Sequence, residues 1–137
     1  MPVIYKIETD KRTIRTKCIG SVTLDEVVNH FRTLQQDPDC PDFLNVFLDL
    51  SEVDSLPDTG QISTIIDQVK KLRRGRVSFG ACAILATRDA VFGMMRVFEV
   101  MGEDYFRVIR TFRTANEAEA WLVSQQSFAH PTRNPVG

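Results

Sequence analysis

The stretch Phe43-Leu44-Asn45-Val46-Phe47-Leu48-Asp49-Leu50 decides the fold. It is almost continuously apolar, which marks a strand buried on both faces in a parallel sheet covered by helices. A second such run, Gly80 to Ala86 (GACAILA), reads the same way. Strands of this type need crossover helices between them, and the chain supplies them.

Upstream, Asp37 to Asp42 carries Pro38 and Pro41 and stops a helix. In that helix Leu24, Val27, Val28, Phe31 and Leu34 share one face, and Thr23 with Glu26 forms a capping box at its start. Before it, Val3–Glu8 and Thr13–Ile19 are β-branched stretches joined by Thr9–Arg12, which predicts an antiparallel hairpin. Downstream of Leu50, a polar loop from Ser51 to Pro57 leads to a helix with Ile62, Ile65, Ile66, Val69 and Leu72 on one face. Thr87 is placed to cap a third helix, running to about Met101 and ended by Gly102. Tyr105 to Phe112 predicts a last strand. Thr114 and Glu117 then open a helix whose Ala118, Trp121 and Leu122 face the core.

The resulting order is ββαβαβαβα. It specifies an α/β fold: a mixed, mostly parallel five-stranded sheet with about four helices and the first strand antiparallel at an edge. We expect one domain over 1–127 and a loose tail over 128–137.

The 137 residues carry a formal net charge of −1, with 43% hydrophobic and 26% charged residues. Such a balance argues against a nucleic-acid partner recruited by bulk charge. No apolar run reaches the roughly 20 residues that membrane insertion requires. The segment Met1 to Lys6 has no signal-peptide core, so a cytoplasmic location is expected. Cys18, Cys40 and Cys82 are odd in number and widely spaced, which predicts free thiols. His30 and His130 lack the neighbours of a metal site. There is no G-x-S-x-G, P-loop or G-x-G-x-x-G, so we name no catalytic residue, no metal ligand and no cofactor.

Two segments carry a family resemblance. Phe47-Leu48-Asp49-Leu50-Ser51-Glu52-Val53, followed after a short gap by Pro57-Asp58-Thr59-Gly60, resembles the signature of anti-sigma-factor antagonist (STAS) domains. In those, a strand ending in Asp-Leu leads to an Asp-Ser-Ser-Gly turn at a helix start. The second half is similar to the SpoIIAA-like (STAS/SEC14) branch, through Phe92 to Glu99, Phe112-Arg113-Thr114 and Glu117 to Leu122. The resemblance implies a SpoIIAA-like fold and a regulatory role. Pro57 stands where the antagonists have Asp, Asp58 on the serine that a partner kinase phosphorylates, Thr59 on the second serine and Gly60 on the glycine. Asp58 cannot accept a phosphate from a serine kinase, and it carries one charge against nearly two. The phospho-serine switch of that family is therefore not expected here unless Thr59 or Ser55 has taken it over; an alternative is that Asp58 mimics a locked, always-phosphorylated state.

Ser55, Asp58, Thr59 and Gly60 are therefore the candidate partner-binding loop. Asp58 with Gln61 also reads as a plain capping box, and that reading stands beside the functional one. In the third helix Val91, Phe92, Met94, Met95, Val97, Phe98, Val100 and Met101 make far more than the 100°-wide stripe that packing on a sheet needs. The surplus of Phe92, Met94, Met95 and Phe98 serves internal packing, an interface with a partner or a second copy, or a ligand pocket. Lys70, Lys71, Arg73, Arg74 and Arg76 read as a solvated helix end that complements the helix dipole, or as a contact for an acidic group.

Two function classes follow. One is a non-catalytic regulatory module whose partner is another protein or a second copy, as in a homodimer. The other is a binder or carrier of a small apolar or lipid-like molecule, which needs a cavity on the order of 300 Å³ or more.

Overall fold

The computed structural model describes residues 3–41, 43–72, 78–103 and 106–126, with side chains placed at all of these but 35, 59, 66, 68–72, 78 and 126. Its elements are β1 (Val3–Glu8), β2 (Thr13–Ser21), α1 (Leu24–Gln36), β3 (Phe43–Ser55), α2 (Thr59–Leu72), β4 (Ser78–Leu85), α3 (Asp89–Met101), β5 (Val108–Phe112) and α4 (Ala115–Gln126). The strands form one sheet in the order β1-β2-β3-β4-β5. β1 pairs antiparallel with β2, and all other pairs are parallel.

Each parallel crossover advances by one strand, so the right-handed rule places α1, α2 and α3 on the same face. The larger core lies there, built on Leu44, Val46, Leu50, Cys82 and Ile84 of the sheet with Leu34, Ile62, Val91 and Met95 of the helices. α4 covers the opposite face, where Ala118 and Leu122 pack on Phe47, Ala81, Ala83 and Leu85. Alternation along β3 and β4 sends side chains to both faces, which is why both runs are almost continuously apolar.

Local capping follows the sequence. Thr23 and Glu26 form the full box at α1. At α4, the Glu117 N–H donates to Thr114 Oγ1 at 3.3 Å, and the Thr114 hydroxyl donates to the Glu117 carboxylate at 3.0 Å. The hairpin between β1 and β2 closes through a 3-10 turn, Thr9–Lys11, with Arg12 in the left-handed region at φ 48°.

Three expectations are corrected. β3 does not end at Leu50 but runs to Ser55, because β2 continues to Ser21 and keeps pairing through Ile19↔Glu52, Gly20↔Val53 and Ser21↔Ser55. Val53 points into the core while Glu52 stays in solvent, so the polar segment is a half-buried strand end. Thr87 does not cap α3. The N-cap is Arg88, without a side-chain cap bond. β5 begins at Val108 instead of Tyr105, since Phe106 turns inward against Phe79 and Phe98, at ring centroid distances of 5.5 and 6.4 Å. Gly102 ends α3 as expected, although with φ −97°.

The basic cluster (Lys70 and Lys71 side chains, Arg73, Arg74, Arg76), Tyr105 and the tail expected over 128–137 lie outside the described residues.

Candidate functional site

Two features stand out, a corner on the surface and a cavity beneath it. The corner follows β3. The carbonyl of Ser55 accepts the Val22 N–H at 3.0 Å, which ties the strand end to the residue after β2. Leu56 packs on the larger core and Pro57 is buried. Asp58 then caps α2 reciprocally: the Gln61 N–H donates to Asp58 Oδ1 at 2.9 Å, and the Asp58 N–H donates to Gln61 Oε1 at 3.1 Å. This is the capping box that Asp58 and Gln61 predict. Ser55, Asp58 and Gly60 are all exposed. A Cβ at Gly60 would meet only Asp58 Oδ1, at an ordinary 3.5 Å, so packing does not require glycine there.

The corner sits at the carboxyl end of a parallel strand, beside a helix N-terminus whose positive end favours anionic groups. The Asp58 charge uses that field. Arg88 reaches Asp54 at 3.4 Å next to it.

The cavity occupies about 120 Å³ between the sheet and α1, α2 and α3. Its wall includes Val46 and Cys82 from the sheet, Phe31 and His30 from α1, Ile62 from α2 and Met95 from α3. Leu56 lines it from the corner above, so the two features share a side chain.

His30 is the most polar group on the wall. Its Nε2 lies 3.4 Å from Thr16 Oγ1, a long contact, and its ring meets Tyr5 edge-on at 5.3 Å and Phe31 at 5.4 Å. Burial pushes its pKa down to about 4, which keeps the imidazole neutral near pH 7 with one donor and one acceptor nitrogen. Burial also raises the wall thiols, Cys18 to about 11 and Cys82 further still. Such thiols are poor nucleophiles. All three cysteines are free of disulfides and buried, including Cys40, which the sequence places in a loop.

The four apolar candidates of α3 part company. Met95 and Phe98 line the cavity, whereas Phe92 and Met94 pack on the core elsewhere. Arg113 stacks over the Phe92 ring at 4.2 Å. Much of the helix surplus is thus absorbed inside the chain, and what faces solvent is Val97, 43% exposed, and Val100, 69% exposed. In the sequence His30 stands out only as a histidine without the neighbours of a metal site. Thr16 and Leu56 gave no sequence signal for the cavity, because only the fold brings them to it.

Among the described residues no group of three or more His, Cys, Asp and Glu could hold a metal ion. No described helix is long and apolar enough to cross a membrane.

No family model matches the sequence, and no curated protein matches it. Solved structures do. The crystal structure of an uncharacterized DUF3478-family protein with a SpoIIAA-like fold from Shewanella loihica PV-4 superposes at a TM-score of 0.56. Its identity is 17%, over 88% of this chain and 91% of that one. The anti-sigma factor antagonist SpoIIAA in its unphosphorylated form superposes at 0.51, with 10% identity over 89% of this chain and 97% of that one. The chain has a SpoIIAA-like fold.

Proposed function

We propose that this chain is a non-catalytic regulatory module that binds a protein partner through the corner Ser55, Asp58, Thr59 and Gly60, without a serine-phosphate switch. One observation carries the reading: Asp58 is exposed, and its carboxylate is held in place by the Gln61 N–H while the Gln61 side chain accepts the Asp58 N–H. A fixed anion stands where the family resemblance puts a phosphorylated serine. Its charge is permanent and smaller than that of a phosphate. The fold supports the reading too, since one of the structures it superposes on is an anti-sigma factor antagonist. The exposed Val97 and Val100 of α3 provide a second contact for the same partner or for a second copy.

The test is affinity capture with the wild-type chain, Asp58→Arg and Gly60→Trp as baits, the captured proteins being identified by mass spectrometry. A partner held by the wild type and lost from both variants, with circular dichroism unchanged, supports the corner. Equal capture by all three baits overturns it.

A further inference from the structure

We propose that the cavity between the sheet and α1, α2 and α3 is a binding site for a compact, neutral, ring-sized apolar molecule with at most one hydrogen-bonding group. The proposal goes beyond partner binding at the corner and stands or falls independently of it.

Size comes first. A cavity of about 120 Å³ compares with the roughly 150 Å³ that admits benzene or xenon in a protein core, and falls well below the roughly 300 Å³ at which drug-sized pockets begin. A long acyl chain does not fit. The lipid-like half of the sequence expectation is therefore set aside, and the small apolar half is kept.

Shape and polarity come next. The wall offers aromatic edges and faces at mixed angles: Phe31 and Phe79 meet at 82° with centroids 5.9 Å apart, and Phe79 and Phe106 at 46° with centroids 5.5 Å apart. Met95 adds a polarizable, adaptable surface suited to an aromatic ring. Among the described residues no charged side chain lines the cavity, so an ionic ligand would lose its hydration without a counter-charge. The neutral His30 and Thr16 sit at one side, 3.4 Å apart, each able to exchange a hydrogen bond with a single hydroxyl or carbonyl. A phenol-like molecule meets these demands together.

The experiment follows the Met95 methyl signal by NMR, and thermal unfolding, as benzene, phenol and decanoate are added to the full chain. Benzene and phenol are expected to shift Met95 saturably and to raise Tm by roughly 4 °C at ten times Kd. Decanoate should do neither. Val46→Phe, which fills the cavity from the sheet, and Val27→Phe, which fills it from α1, should each abolish the Met95 shift. Two variants guard against one that fails to fold. No saturable Met95 shift with benzene or phenol overturns the site, as does an undiminished shift in a folded filled variant. A saturable shift with decanoate overturns the size limit.

Discussion

The Oδ1 of Asn45 on β3 accepts the backbone N–H of Ala81 on β4 at 2.8 Å, deep inside the sheet. The pairing of these strands skips here, from Leu44↔Phe79 to Val46↔Cys82. Two residues of β4, Gly80 and Ala81, face one of β3, and the amide side chain replaces the ladder bond that the bulge removes. Asn45 is buried in the largely apolar first half of β3, and its own N–H is held by the Arg12 carbonyl at 2.8 Å.

Asn45→Leu should therefore cost about 2–3 kcal/mol, because it strands a buried N–H. Gly80→Ala should be as severe, since a Cβ there would lie 2.3 Å from Phe43 Cζ and 2.6 Å from Asn45 Oδ1. Urea unfolding of both variants checks this. A loss below about 0.5 kcal/mol for Asn45→Leu would mean that the bond is dispensable.

Asp58→Ala should lower stability by about 1 kcal/mol through loss of the cap. Gly60→Ala should raise it by roughly 0.5–1 kcal/mol, because the added methyl makes only an ordinary 3.5 Å contact with Asp58 Oδ1 and takes a glycine out of a helix. Thermal unfolding of the two variants should move in opposite directions. If Gly60→Ala instead destabilises, the first turn of α2 is tighter than described.

His30 makes stability depend on pH on the acid side. Its pKa is lowered by burial from 6.5 to about 4, so the folded state favours the neutral ring. That contribution is fully present above about pH 6.5 and is lost as pH falls toward 4. Tyr5 acts at the other end: its hydroxyl donates to Asp37 at 2.6 Å, and this bond together with burial raises its pKa to about 12. Stability from this group holds below about pH 10 and falls through pH 12. Tm measured against pH should show both shoulders, with His30→Phe removing the acid one and Tyr5→Phe the alkaline one. An unchanged acid shoulder in His30→Phe would assign it to other groups.

Arg15 fastens α4 to the sheet. Its two terminal nitrogens donate to Glu119 at 2.8 and 2.9 Å, its Nε donates to Glu8 at 3.0 Å, and its guanidinium lies 5.0 Å from the centre of the Phe47 ring. A lysine keeps the charge but neither the fork nor the stacking. Arg15→Lys should cost roughly 1 kcal/mol, less at high salt, as read from urea unfolding at two ionic strengths. Equal stability of variant and wild type would reduce the cluster to a surface ion pair.

Much of this protein was legible in one dimension. Thr23 with Glu26, Asp58 with Gln61 and Thr114 with Glu117 are contacts three residues apart, and such bonds are written in the chain itself. The apolar runs at Phe43 and Gly80 told of strands covered on both faces, and the element order told of a parallel sheet. The limits of β3 were harder to read, because Ser51 to Ser55 becomes strand only when β2 runs alongside.

What the sequence determined alone is the set of local elements and their order, since capping and periodicity act within a few residues. The tertiary structure decided the rest. It put three helices on one face and α4 on the other, replaced a ladder bond with Asn45, and gathered His30, Thr16, Leu56 and Met95 around one void. Those positions lie far apart along the chain, and no local preference encodes how closely distant side chains fill the space between them. The cavity is a residue of packing, and only the assembled fold shows it.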